Sequence, residues 1–162
     1  LVRITKEKQF GIYLDNNQVL FETDETEAVS RLIEGEFPDY EPIIPKSLET
    51  EVVVDRGELV NSLKLASAFS GKVSEVRLRI KDKKVLEVYS SDNALGENNY
   101  LIPAKVNGTE AEAVFNWRFL LDGIKTGSSK EVFLGLNGDS KPALIKSPGD
   151  TSYLYILMPI KS

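Results

Sequence analysis

The side chains that most often do chemistry are missing from this chain: its 162 residues include neither histidine nor cysteine. Their absence removes the commonest general base, the commonest metal ligand and every thiolate nucleophile. A disulfide framework and a zinc–cysteine site go with them, so no metal and no cofactor is expected. What remains is carboxylates and hydroxyls. Asp92-Asn93 with Gly96-Glu97 looks superficially like a calcium loop. The ligand spacing fails and no closing bidentate glutamate follows, so a turn is expected there. Asp39, Asp139 and Asp150 also stand in turn contexts, where aspartate is common for local hydrogen-bonding reasons. The serines have no histidine to activate them, and no spacing proposes a Ser–Lys pair. Neither a dinucleotide fingerprint nor a P-loop pattern occurs. The enzymatic alternative is a hydrolase using carboxylates such as Asp39 and Asp122, with no substrate suggested. The chain is expected not to be an enzyme.

Residues suited to binding stand out more. The tail Tyr153–Ser162 reads YLYILMPIKS, an apolar run to Met158, a break at Pro159, and Ile160 beside a lysine. Chain ends usually carry polar residues, so this one is either buried or awaits a partner. Phe119 lies beside Gly123 and off the apolar stripe of its segment. Part of its ring faces a groove, or it is a flanking core aromatic. Arg118, Asp122 and Lys125 form a polar face opposite that stripe, as Asn61 and Lys64 do on an earlier segment; ordinary solvated helix surface is the plainer reading. Leu65 and Phe69, at i and i+4, fit an interface or a wide core face.

Two helices must position these residues. The first follows the β-branched run Val52–Val54 and opens at Asp55 with Glu58 three residues later, an aspartate version of the capping box. Its core stripe is Leu59, Val60, Leu63 and Ala66, and it ends near Ser70-Gly71. The second opens at the N-cap Asn116, after the strand Ala113–Phe115, and ends at Thr126-Gly127. Trp117, Leu120, Leu121 and Ile124 form its apolar face at helical spacing.

Each helix is followed by three strand-like runs. These are Glu75–Lys81, Lys84–Ser90 and Asn99–Pro103 after the first, and Glu131–Leu136, Pro142–Lys146 and Tyr153–Met158 after the second. The N-caps at positions 55 and 116 lie 61 residues apart, so a strand–helix–three-strand unit occurs twice. Two repeat lengths before the last triplet lie Gln9–Asp15, Gln18–Thr23 and Glu27–Ile33, again strand-like. On the repeat, Leu1–Ile4 is the last turn of a helix; read locally, Leu1–Thr5 is equally a strand. The Pro-rich stretch Phe37–Pro45 connects the two parts. The chain begins with Leu1 and is therefore processed, cut or incompletely represented.

Hydrophobic content of 41% and charged content of 28% suit a packed core of class α+β. A net charge of −5 argues against a general basic coat for nucleic acid. No apolar run reaches the ~18 residues of a membrane span, and a cytoplasmic location is the default expectation.

Four segments resemble a known family. LIEGEFPDY (Leu32–Tyr40) followed by Ile43-Ile44-Pro45, then AVFNWRFLLDGIK (Ala113–Lys125), PALIKS (Pro142–Ser147) and the tail occur in the order of the bacterial sliding clamp, the beta subunit of DNA polymerase III. The resemblance covers the whole chain. It implies a sliding-clamp (processivity) fold: antiparallel sheets outside and helices lining a ring of two head-to-tail subunits, each of three domains. Residues 1–47 would be the end of the second domain plus a connector, and 48–162 a complete third domain.

The implied function is to tether the replicative polymerase to duplex DNA, encircled without sequence preference, with Lys64, Arg118 and Lys125 facing inward. The implied partners are the DNA polymerase III alpha subunit, the clamp loader, and other polymerases and repair proteins. They insert a short motif of glutamine and apolar residues into a pocket between domains two and three. By motif position this chain's share of that pocket is Pro38, Ile43, Asn116, Phe119, Pro142, Ile156, Met158, Pro159 and Ile160. Ala68 and Phe69 match the homodimer contact, whose other side is the first domain, absent here. The chain departs from the family at Pro42, where arginine is common, and at Ser162, which replaces a terminal leucine. The second domain's threonine–aspartate–glycine–histidine–arginine–leucine share of the pocket is not in this chain. A stand-alone peptide-binding module that never encircles DNA is the alternative.

Overall fold

The computed structural model describes residues 9–161, and the chain divides into two units, Leu1–Asp39 and Tyr40–Ser162. The readings of Leu1–Thr5 and of Ser162 lie outside the described residues. In the first unit, β1 (Gly11–Leu14), β2 (Gln18–Glu22) and β3 (Glu27–Arg31) form an antiparallel meander in that order. Its hairpins close through the Asp15 amide to the Gln18 carbonyl (2.9 Å) and the Thr23 amide to the Thr26 carbonyl (2.8 Å). Ile12, Leu14 and Val29 are exposed.

The second unit opens with a short 3-10 turn at Glu41–Ile43, where Pro42 suits the first turn because it needs no amide donor. It then runs β4 (Thr50–Asp55), α1 (Arg56–Ser67), β5 (Glu75–Ile80), β6 (Val85–Asp92) and β7 (Gly96–Gly108). The same order returns as β8 (Ala111–Asn116), α2 (Trp117–Thr126), β9 (Glu131–Leu136), β10 (Ala143–Lys146) and β11 (Tyr155–Leu157). The duplicated strand–helix–three-strand pattern is therefore present. The strands form one antiparallel sheet, β11-β10-β9-β4-β7-β6-β5-β8, and the two helices pack side by side.

Both helices begin where a side chain takes over a free amide. Asp55 Oδ1 accepts from the Glu58 amide at 3.0 Å, and Asn116 Oδ1 accepts from the Arg118 amide at 3.0 Å. The expected capping box is only half formed, because the Glu58 carboxylate accepts from the Tyr100 hydroxyl on β7 (2.9 Å) instead. Leu59, Leu63 and Ala66 of α1 and Leu120 and Ile124 of α2 are at most 2% exposed. Burying each of the larger ones contributes roughly 1.5–3 kcal/mol. Val60 and Trp117 are only partly buried at the edge of this core. Ser62 takes the fourth core position on α1, its hydroxyl donating to the Leu59 carbonyl (2.8 Å). The helix stops at Ser67, short of Ser70-Gly71, as Ser70 Oγ caps the Ser67 carbonyl at 2.9 Å.

The largest difference from the sequence reading is β7, which runs well past Asn99–Pro103 at both ends. It is long because it changes partner. Gly96–Pro103 pair with β6, and Ala104–Gly108 pair with β4. The Ala104 amide points to the β6 side, donating to the Lys84 carbonyl, so by strand alternation position 103 points away from β6. Pro103, with no amide hydrogen, therefore sits where the strand has no neighbour to serve. At the other end Gly108 has φ +123, and a Cβ there would collide with the Glu49 carbonyl and lie 2.8 Å from the Thr50 Cα. Gly108→Ala is expected to destabilise the unit by about 2 kcal/mol or more. Gly138→Ala, also at positive φ but with nothing within 4 Å, is expected to cost about 1 kcal/mol. Urea denaturation of the two variants checks the difference.

Candidate functional site

The tail is held at two heights along α2. At the lower one, Gly123 offers no side chain, and the Tyr155 ring fills the space: a Cβ on Gly123 would stand 2.6 Å from Cδ1 and 2.9 Å from Cγ. The Tyr153 hydroxyl approaches the Gly123 carbonyl at 3.4 Å. Burial, with Asp122 and Tyr153 nearby, raises the Tyr155 pKa. At the upper one, the Ile160 amide donates to the Val114 carbonyl of β8 (2.7 Å), two residues before the cap of α2. Between these anchors lie Phe119, one turn from Gly123, and the tail from Ile156 to Pro159. Phe119 is 55% exposed and Met158 is 52% exposed.

Alternation divides the tail. Leu157 and Pro159 are buried and Tyr155 is half-buried against the core, whereas Met158 is exposed and Ile156 and Ile160 are intermediate. β11 pairs with β10 through Tyr155↔Ile145, Ile156↔Leu144 and Leu157↔Ala143. The next position in that register sets Pro142 opposite Met158. Pro142 in turn lines a cleft of about 370 Å³ with Pro42, Ile43, Pro45 and Lys141. Asn137 fixes that cleft, accepting from the Glu49 amide at 2.9 Å and donating to the Pro142 carbonyl at 3.4 Å. Ile43 and Pro142 thus share one cleft, and the β10–β11 register brings Met158 beside Pro142. Asn116 sits at the start of α2, occupied as the cap. Pro38 is exposed and belongs to the first unit.

The other candidates lie elsewhere on the second unit. Lys64, Arg118 and Lys125 are exposed on the helices, opposite their buried faces. Arg118 rests its guanidinium over the Trp117 ring at 5.4 Å, and none of the three makes an ion pair among the described residues. Ala68 is exposed and Phe69 half-buried at the end of α1, near the exposed Leu65. Asp92 and Asp150 adjoin turns: Asp92, the last residue of β6, accepts at Oδ1 from the Ala94 amide and Asp150 Oδ1 from the Ser152 amide, each at 2.8 Å. The Ser152 hydroxyl and amide hold the Asp150 pKa below its ordinary value. Among the described residues no three acidic side chains group as a metal site.

Two features escaped the sequence reading. One is the Tyr155–Gly123 contact, between residues 32 apart. The other is Glu87, an acidic residue in a strand of alternating character, whose side chain is 8% exposed. Asn99 Nδ2 donates to it at 2.7 Å, with Lys81 Nζ at 3.4 Å and Arg79 at 3.8 Å. The cross-strand register Arg79↔Glu87 is its only sequence-level signal, and it needs the pairing to be known first.

The profile of the DNA polymerase III beta subunit, C-terminal domain, matches residues 41–161. The beta sliding clamp of Staphylococcus aureus strain Mu50 is 30% identical over 159 residues, 96% of this chain. That of Bacillus subtilis strain 168 is 28% identical over 154 residues, 93% of this chain. The chain spans 42% and 41% of the length of these two relatives. Among solved structures, the DNA polymerase III beta subunit of Thermotoga maritima superposes with a TM-score of 0.81 at 30% identity, over 98% of this chain and 43% of that one. A sliding clamp of Pseudomonas aeruginosa gives 0.84 at 26% identity, over 99% of this chain and 45% of that one.

The packing of Tyr155 has a measurable consequence at high pH. A raised pKa means the folded state favours the neutral phenol, so this contribution to stability is complete below the ordinary value of 10.0 and is lost as pH rises through the raised one. Tyr155→Phe is expected to lose less stability than the parent between about pH 9 and about pH 11. Denaturant midpoints at the two pH values measure it, and parallel losses would contradict it.

Proposed function

The chain belongs to the DNA polymerase III beta subunit family, the beta sliding clamps, and from that premise we propose that it is the C-terminal portion of a ring that tethers a replicative polymerase to duplex DNA and docks peptide motifs. In this reading residues 1–47 are the end of a second domain plus connector, and 48–162 a complete third domain. The protein is non-catalytic, works in the cytoplasm without a cofactor, and closes its ring as a head-to-tail homodimer through a first domain outside this chain. Ala68 and Phe69 lie at that contact.

The observation that carries the docking half is the exposure of large apolar side chains at three of the family's motif positions: Ile43 at 49%, Phe119 at 55% and Met158 at 52%. Exposed large apolar side chains at positions where a family docks peptides suit an apolar ligand. Ile156, Pro159 and Ile160 form the floor of this site, with Pro142 and Asn116 at its margins. Pro38 stays in the proposal on its motif position alone. The ligands are short segments of glutamine and apolar residues, carried by the DNA polymerase III alpha subunit, the clamp loader, and other polymerases and repair proteins. Methionine, unbranched and polarisable, adapts to varied apolar shapes.

The tethering half rests on the helix face bearing Lys64, Arg118 and Lys125, cations that make no ion pair among the described residues. A ring that encircles DNA needs only weak, sequence-independent phosphate contacts, which a net charge of −5 allows if the cations gather on one face. No described helix is long and apolar enough to cross a membrane.

In the full-length protein, Met158→Ala is expected to weaken binding of a synthetic clamp-binding peptide about tenfold, the loss of one large apolar contact. Deleting Pro159–Ser162 is expected to weaken it at least as much. Titration by fluorescence polarisation checks both, and unchanged affinity would refute the site. Arg118→Glu combined with Lys125→Glu is expected to shorten the residence of loaded rings on circular DNA several-fold, most at low salt where screening is weakest. Equal lifetimes at every salt concentration would remove the helix face from the DNA path.

A further inference from the structure

Gly123 stands mid-helix in α2, at a buried position, where glycine is the poorest residue other than proline. The packing supplies a physical reason for it. The Tyr155 ring occupies the place a side chain would take, with Cδ1, Cε1 and Cγ all within 2.6–2.9 Å of an added Cβ. Cγ is the root of the ring. Turning the ring about its own axis leaves Cγ where it is, so any side chain at 123 must displace the Tyr155 backbone or swing the whole ring off its rotamer.

Tyr155 is also the first residue of β11, a strand of three residues held by β10. Beyond β11 the backbone anchor is the Ile160 amide on the Val114 carbonyl. Besides its pairing with β10, the tail is thus anchored at two points, and the Gly123–Tyr155 contact is one of them. We infer that Gly123 is a positioning residue for the docking site, setting the height of Ile156 and Met158 along α2 without touching the ligand. This rests on the docking reading above and adds to it a residue outside the site.

The experiment uses the full-length protein in five forms: parent, Gly123→Ala, Tyr155→Phe, Tyr155→Val, and Gly123→Ala with Tyr155→Val. Hydrogen exchange of the C-terminal segment containing Ile160, read by mass spectrometry, reports the tail. Titration with a synthetic peptide bearing the glutamine-and-apolar motif reports the site, and thermal unfolding reports global stability. Gly123→Ala is expected to keep a near-parental melting temperature, because alanine's better helix propensity offsets the crowding. It is expected to speed exchange in the tail and weaken peptide binding about tenfold. Tyr155→Phe keeps the ring and should match the parent near neutral pH in both readouts. The double variant should bind no worse than Tyr155→Val alone, since the crowded ring is gone.

Parental exchange in Gly123→Ala, or additive losses in the double variant, would overturn the inference. So would faster exchange with unchanged peptide affinity. If the parent itself does not bind the peptide, the docking reading fails, while tail exchange in Gly123→Ala still decides whether the contact positions the tail.

Discussion

β7 pairs with β6 over its first eight residues and with β4 over its last five, so one continuous backbone joins the half-sheet β7-β6-β5-β8 to the half-sheet β4-β9-β10-β11. This sharing lets two strand–helix–three-strand units bury their helices against a single sheet. Had β7 stopped at Pro103, the sheet would fall into β11-β10-β9-β4 and β7-β6-β5-β8, each mixing strands of the two repeats and each with less apolar area to bury. The crossing is demanding. It needs a residue without an amide hydrogen to be tolerated on one side and a residue without a side chain at the far end, where Gly108 runs against Glu49 and Thr50.

At the opposite margin of the sheet the arrangement is looser, and the candidate site is found there. β11 has three residues, ends just before a proline, and rejoins β8 by one hydrogen bond. An edge built this way keeps its inward side chains in the core and leaves the outward ones accessible. The site is therefore a by-product of incomplete closure: the repeat that seals the sheet at β4–β7 leaves a gap at β8–β11, and the tail crosses it.

Local chemistry made part of this legible in the sequence. Asp55 and Asn116 announce the helix starts because capping depends on a few neighbouring residues, and the period of Leu120, Leu121 and Ile124 announces the buried face. The apolar run of the tail and its break at Pro159 were readable for the same reason. What could not be read depends on pairing. The stretch Ala104–Gly108 looks weak as a strand until β4 is beside it, and Ser62 looks solvent-facing until its hydroxyl turns back on its own helix. Glu58 fits a capping box until Tyr100 arrives from β7. For the site, Ile43, Phe119 and Met158 are each unremarkable as single residues. The placing of Met158 near Pro142 follows from the β10–β11 register, and the seating of the tail on α2 from a glycine that lets a tyrosine close in; neither has a signature in a single sequence.

The central position of β4 also bears on how the unit is made. Its neighbours on the two sides are β7, through Thr50↔Gly108, and β9, through Thr50↔Leu136. These pairings span more than fifty and more than eighty residues, and closing such loops slows folding. On the ribosome, β4 and α1 emerge long before β9 exists to flank them, so the first repeat waits, part-covered, for the second. Assembly of this unit is therefore close to a single late event, which waits for β9 before β4 is flanked on both sides.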